Sequence, residues 1–370
     1  MPSARPLRKT SPITLVLAGI LFIGFGFWIF GGSGQSTSTP VPRTSSRQLL
    51  GSKDAASNFL SPPSLPFRKP LKSLDKQPPP PVVHYHLNNI TTSADPVTQR
   101  ETVLILTPLS RYYPGFIENI MKLTYPHELI SIGFIIPKDK DGNAATKQLQ
   151  ERIAEIQQGP ESKRFASITI LRQDFEMGIN SQAEKDIHSM AVQKIRRAGM
   201  ARARNSLLFT TLGPTTSWVL WLDSDIVETE PSLIQDLARH DKPIIVPNCY
   251  QRYYNNDKKA MDTRPYDFNS WIDSDQAQKI AQEMDKEDIL LEGYAEMATY
   301  RFLMAGMYDE KNPGDQHTEV QLDGVGGTAL LVKADVHRDG AMFPPFAFYH
   351  LIETEGFAKM AARLGWKSWG

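Results

Sequence analysis

The stretch Ser217-Trp218-Val219-Leu220-Trp221-Leu222-Asp223-Ser224-Asp225-Ile226-Val227 decides how the chain is read. Its apolar run is too short for a helix and rich in β-branched and aromatic side chains, so it reads as a buried strand, with two carboxylates immediately after it. Outward from there the same reading places strands at 102–106, running into Thr107-Pro108, and at 130–136, 167–171, 243–246 and 328–332. Helices are expected around 116–123, from 182 to 212, after Pro231 and at 357–364. Strands alternating with helices predict an α/β domain: an open, Rossmann-like, mostly parallel sheet with helices on both faces. Such a sheet binds ligands beyond the carboxyl ends of its strands, which is where Asp223 and Asp225 stand.

The spacing of these two acids allows one to bind a divalent cation while the other holds a ribose or a metal-bound water. Mg²⁺ and Mn²⁺ take oxygen ligands, and one or two carboxylates plus donor phosphates suffice to bridge protein to diphosphate. An isolated Asp-x-Asp is more often a solvated turn or a helix cap; its position at a strand end favours the metal. The preceding helix carries Arg197, Arg202, Arg204 and Asn205, and an arginine there can pair with phosphate or simply face water. Leu322-Asp323-Gly324-Val325-Gly326-Gly327 allows a close approach or a sharp turn, and without a following Gly-Lys-Ser/Thr it is not a phosphate loop. His350, Glu353 and Glu355 precede the last helix, where acids either complement the helix dipole or orient acceptor hydroxyls.

Among 370 residues the net charge is zero, but it is unevenly spread. Residues 1–100 hold 11 Lys/Arg against 3 Asp/Glu, which leaves 30 against 38 for the remainder. An acidic globular part lacks the footprint of a nucleic-acid binder. Cys249 is the single cysteine, so no intrachain disulfide forms. Residues 13–30 carry no charge, follow Arg5, Arg8 and Lys9, and would reach about 27 Å as a helix. The run exceeds a usual signal-peptide core and predicts an uncleaved anchor at 13–30, a cytosolic tail at 1–12 and a lumenal remainder. Residues 31–100, rich in Pro and Ser, read as a disordered stem that contains one sequon, Asn89-Ile90-Thr91. The single catalytic domain is expected over 101–370.

Longer motifs then identify a family. The runs from Val103 to Arg111, Tyr125 to Ile130, Ala201 to Leu208, Trp218 to Glu228, Arg264 to Trp271, Glu292 to Arg301, Asp323 to Gly327 and His350 to Met360 resemble those of fungal mannan polymerase subunits. These are Golgi α-1,6-mannosyltransferases of glycosyltransferase family 62, and the resemblance extends from Thr102 to the last residue. It implies a GT-A fold, GDP-mannose as donor, Mn²⁺ as cofactor, retention of configuration, and work in a hetero-oligomer with homologous subunits on mannan or N-glycan outer chains. The membrane is that of the Golgi or of the route from the endoplasmic reticulum to it. By position, Thr107, Pro108, Leu109 and Arg111 would line the nucleotide pocket, Arg202, Arg204 and Asn205 would be donor-side residues, and Asp223 with Asp225 the metal motif. Asp267, Glu292, Asp323, Glu353 and Glu355 would be acids of the cleft. The resemblance also implies a metal-binding histidine in a segment beyond Gly370, so that 101–370 is expected to be incomplete at its C-terminal end. Two other classes compete: a noncatalytic assembly or acceptor-binding subunit, and a metal-dependent phosphohydrolase, which also uses strand-end aspartates.

Overall fold

A computed structural model describes residues 82–174, 190–294, 297–307, 315 and 317–370. The expected anchor at 13–30, the stem up to 81 and the first turns of the expected helix from 182 lie outside the described residues. Among the described residues no helix is long and apolar enough to cross a membrane.

Helices in chain order are α1 (Pro114–Met121), α2 (Lys140–Gln158), α3 (Met190–Thr211), α4 (Leu233–Ala238), α5 (Asp275–Glu283), α6 (Ala334–Arg338) and α7 (Glu353–Arg363). The first strands are β1 (Val103–Pro108), β2 (Ile130–Ile136), β3 (Ser167–Arg172), β4 (Trp218–Leu222) and β5 (Ile244–Ile245). They are followed by β6 (Tyr250–Asn255), β7 (Ala260–Pro265), β8 (Trp271–Ile272), β9 (Phe302–Leu303), β10 (Gln321–Leu322), β11 (Ala329–Lys333) and β12 (Ser368–Trp369). Eight of these strands form one sheet in the order β10-β12-β5-β11-β4-β1-β2-β3.

Strand alternation sends Val103 and Ile105 to one face, packed with Phe116 of α1, Leu149 and Ile153 of α2 and Ile234 of α4. Leu104 and Leu106 meet Leu207 and Leu208 of α3, Val336 of α6 and Phe357 of α7 on the other. Each such side chain contributes about 1.5–3 kcal/mol relative to exposure, so the two layers fix the sheet between them. The three-layer α/β expectation holds.

The expectation of a mostly parallel sheet holds for six of the eight strands, and two run the other way. β3, β2, β1 and β4 run parallel, as do β12 and β5. β11 is antiparallel to both β4 and β5, and β10 to β12, so the sheet is mixed. The reason is the connection: the glycine loop before β11 ends beside the carboxyl end of β4, where Asp223 N donates to Thr328 O at 3.0 Å, and a chain starting there can only run back. Packed structure also begins ahead of residue 101. Glu101 is buried and its Oε2 accepts from Trp218 Nε1 at 2.7 Å and from Ser93 N at 3.1 Å, while Tyr125 Oη donates to Pro96 O and Glu101 O.

Candidate active site

β1 leads outward on one side through β2 to β3, and the chain then returns to place β4 on the other side of β1. The crevice between the carboxyl ends of β1 and β4 is the topological switch point, the place where an open sheet of this kind leaves room for a ligand. The buried Thr107 hydroxyl donates to Leu222 O at 2.8 Å and pins the two strand ends together. Leu109 is also buried, which leaves Pro108, partly exposed at the end of β1, and Arg111, exposed in the loop that follows, as the accessible members of the expected set.

Asp223 and Asp225 emerge from β4 at this crevice. Asp223 keeps 31% of its side chain exposed, and its Oδ1 accepts from Arg204 Nη2 at 2.9 Å. Arg204 itself is only 2% exposed; its Nε donates to Glu353 Oε1 at 3.2 Å, and Arg197 Nη1 stands 3.8 Å from Glu353 Oε2. The aromatic rings of Trp221 and Phe343 flank the Arg204 guanidinium. Burial pushes the Asp223 carboxyl up to about 6, against the pull of Arg204 and with repulsion from Asp225 adding to it. Asp225 is exposed and its Oδ2 accepts from Tyr266 Oη at 3.0 Å. Two crowded carboxylates, one half-sunk and one open, form an oxygen-only donor set that a hard divalent cation would relieve of its repulsion. Among the described residues no group of three or more His, Cys, Asp or Glu could hold a metal by itself, so the fit is to a cation that takes its remaining ligands from a bound phosphate and water.

The other expected donor-side residues separate. Arg202 is exposed on α3, whereas Asn205 is buried and spent on the fold: Nδ2 donates to Phe343 O at 2.7 Å and Oδ1 accepts from Phe343 N at 2.9 Å. Of the expected cleft acids, Glu353 belongs to the Arg204 cluster and adopts a left-handed backbone, φ 55, as do Tyr349 and His350 just before it. That conformation costs a non-glycine residue free energy of order 1–3 kcal/mol.

Glu292 and Glu355 gather around a different arginine. Arg301 Nη1 lies 3.0 Å from Glu292 Oε1 and 3.8 Å from Glu355 Oε1, its Nε lies 3.6 Å from Asp273 Oδ1, and its guanidinium stacks 3.7 Å from the Trp271 ring centroid. Trp271 Nε1 donates to Glu355 Oε1 at 2.9 Å. Glu355 is fully buried, its Oε2 has no hydrogen-bond partner, and burial holds its carboxyl above the usual range. Asp323 is exposed and its Oδ2 accepts from Asp273 N at 2.9 Å. Asp267, partly buried, accepts from Asn269 N and lies against Gly326.

The glycine loop 324–327 is the wall shared by both clusters. A Cβ at Gly324 would run into the Trp271 indole, one at Gly326 into the Asp267 carboxylate, and one at Gly327 into the Arg204 guanidinium and the Thr354 methyl. Sequence reasoning missed Tyr266, Trp271 and Arg301 as site residues. Each lies in a motif in which only an acid drew attention, and a cation or an indole ending an acid-containing motif was the available signal.

The Anp1 family model matches residues 81–347. The mannan polymerase complex subunit MNN9 of Candida albicans is 55% identical over 289 residues, covering 78% of this chain and 77% of that one. The mannan polymerase complex subunit mnn9 of Schizosaccharomyces pombe is 55% identical over 281 residues, 76% of this chain and 81% of that one. The mannan polymerase II complex ANP1 subunit of Saccharomyces cerevisiae is 36% identical over 290 residues, 78% of this chain and 57% of that one. Among solved structures, the mannosyltransferase PcManGT from Pyrobaculum calidifontis in complex with GDP-Man and Mn²⁺ overlaps with a TM-score of 0.36 at 12% identity, covering 76% of this chain and 56% of that one.

Proposed function

The chain belongs to the Anp1 family of fungal mannan polymerase subunits, and from that premise we propose that it is a GT-A glycosyltransferase that moves mannose from GDP-mannose, with retention, onto the α-1,6-mannan backbone of N-glycan outer chains. It works as one subunit of a Golgi complex with homologous chains, anchored through residues 13–30 as a type II protein with its domain in the lumen. One observation carries the reading: two carboxylates, one exposed and one half-sunk over a buried arginine, stand at the switch point of the sheet.

Asp223 and Asp225 would hold Mn²⁺ together with the donor diphosphate. When bound, the cation supplies positive charge against the nucleoside diphosphate that departs as the glycosyl bond breaks. Arg204, fixed by Glu353, holds Asp223 in one orientation, and Tyr266 does the same for Asp225 through its hydroxyl. Pro108 and Arg111 border the nucleotide side, where Arg111 is placed to meet negative charge. Gly326 and Gly327 keep the cleft wall one backbone thick, which lets Asp267 and Arg204 approach it.

A second reading, a noncatalytic subunit that binds acceptor or assembles the complex, is supported by the burial of Glu292, Glu353 and Glu355 against arginines. Titration calorimetry of GDP into the full chain with Mn²⁺ tests the donor site, and transfer from GDP-mannose to a mannobiose acceptor separates the two readings. Asp225→Ala should abolish Mn²⁺-dependent GDP binding; normal binding by that variant would sink the metal assignment. GDP binding without any transfer by the assembled complex would favour the noncatalytic reading.

A further inference from the structure

The ribbon formed by β6 and β7 has two unlike faces. Register places Tyr250 opposite Pro265, Arg252 opposite Thr263 and Tyr254 opposite Met261, and alternation puts these six on one face. On the other face the groups bind one another: Arg264 donates twice to Gln251 Oε1, and Asn255 Nδ2 and Lys258 Nζ reach Asp262 Oδ2 at 3.0 and 2.8 Å. On the first, Tyr254 is 57% and Met261 65% exposed, and Tyr250 is exposed as well. Large apolar groups side by side on a solvent face are the feature that asks for an occupant.

This face is continuous with the candidate active site. Arg252 Nη2 lies 2.6 Å from Glu228 Oε2, three residues past Asp225. At the base of the ribbon Tyr266, which alternation puts with Arg264 on the other face, donates to Asp225 itself. Six residues per strand make the ribbon roughly 20 Å long and 10 Å across, so one face offers roughly 200 Å². A specific protein interface takes about 800 Å² from each partner, so the patch is too small to seat a stable protein partner alone. A narrow stripe of aromatic faces with phenol hydroxyls and an arginine between them suits a linear ligand with apolar C–H faces and hydroxyl edges.

Resting on the proposed function, we infer that the Tyr250–Tyr254–Met261 face is the track along which the acceptor oligosaccharide lies as it leaves the transfer site, the sugar rings stacking on the tyrosines. The ribbon reads several residues of the chain beyond the one that reacts. Affinity should therefore grow with acceptor length.

The test uses the full chain in its assembled complex and titrates α-1,6-linked mannose oligomers, from disaccharide to hexasaccharide, by calorimetry, alongside GDP with Mn²⁺. Tyr254→Leu should weaken the hexasaccharide about tenfold and leave the disaccharide, GDP and the melting temperature unchanged, whereas Tyr254→Phe, which keeps the ring, should bind like the parent. An unchanged hexasaccharide affinity in Tyr254→Leu, or an equal loss in Tyr254→Phe, overturns the inference. So does release of the homologous subunits by Tyr254→Leu with saccharide binding intact, which would make the ribbon a protein contact. A parent chain that fails to bind GDP but shows the length dependence and its loss in Tyr254→Leu would leave this inference standing and bring down the donor-site reading.

Discussion

Arg204 and Arg301 are both sunk among carboxylates with 2% and 3% of their side chains exposed, yet they are built for different ends. The Arg204 cluster opens: its partner Asp223 reaches the crevice with its free edge. The Arg301 cluster is closed around Glu292 and Glu355, with Asp273 its one partly exposed neighbour. A buried ion pair gains little net free energy over an apolar replacement, because desolvation offsets attraction. What it does fix is direction. In the first cluster that direction is delivered to a group that can meet a ligand, and in the second it is delivered to Trp271 and the wall of the glycine loop.

Removing the guanidinium of the closed cluster should have the largest effect. Arg301→Met strands Glu292 and Glu355 in the interior and should lower the unfolding free energy by about 3–5 kcal/mol in urea denaturation of the full chain. A loss below about 1 kcal/mol would show that the cluster is no scaffold.

Protons probe the layer beneath Arg204. His337 is buried, its Nδ1 donates to Ala341 O at 2.8 Å and its Nε2 accepts from Trp221 Nε1 at 3.2 Å, which fixes the neutral ring. Burial lowers it from an ordinary 6.5 to about 4. The unfolded chain therefore binds more protons between those values, and stability rises with pH across the interval. Full above pH 6.5, this contribution should be lost as pH falls toward 4, by an amount on the order of 3 kcal/mol, and His337→Gln should flatten the profile. A variant whose pH profile matches the parent's would place the titration elsewhere.

Arg204→Lys keeps the charge but loses the fork that spans Asp223 and Glu353, and should cost about 1–2 kcal/mol in stability. Its signature is functional: Mn²⁺-dependent GDP affinity should fall by about tenfold or more. If affinity held while stability dropped as far as in Arg301→Met, the two clusters would be equivalent scaffolds. The smallest stability effect belongs to the open end. Asp225→Ala should shift the unfolding free energy by no more than about 0.5 kcal/mol, since the carboxylate is exposed, and a large drop in a thermal melt would make Asp225 a structural cap.

The contrast also explains what the sequence could reveal. β4 and the acids after it were legible because five consecutive apolar residues ending on Asp-x-Asp admit few alternatives, and β1, β2 and β3 followed from the same kind of run. α2 is less legible although Ala145, Leu149, Ile153 and Ile156 give it a buried stripe, because most of its 19 residues are polar and the apolar positions are sparse. β8, β9, β10 and β12 are two residues each, too short to carry a period of two. Partnerships were beyond reach. Glu355 finds Trp271 across 84 residues of chain, and nothing local distinguishes an acid bound for a closed arginine from one bound for an open crevice.

The one-backbone-thick wall at Gly324, Gly326 and Gly327 has a genetic consequence. Every replacement of a glycine by another amino acid adds at least a Cβ, and at these three positions that carbon meets Trp271, Asp267 or Arg204. Silent third-base changes are the drift this stretch tolerates unless the facing residue shrinks with it. Gene copies that have lost the loop's glycines should therefore also carry smaller residues at 267, 271 or 204, a pairing that records which cluster gave way first.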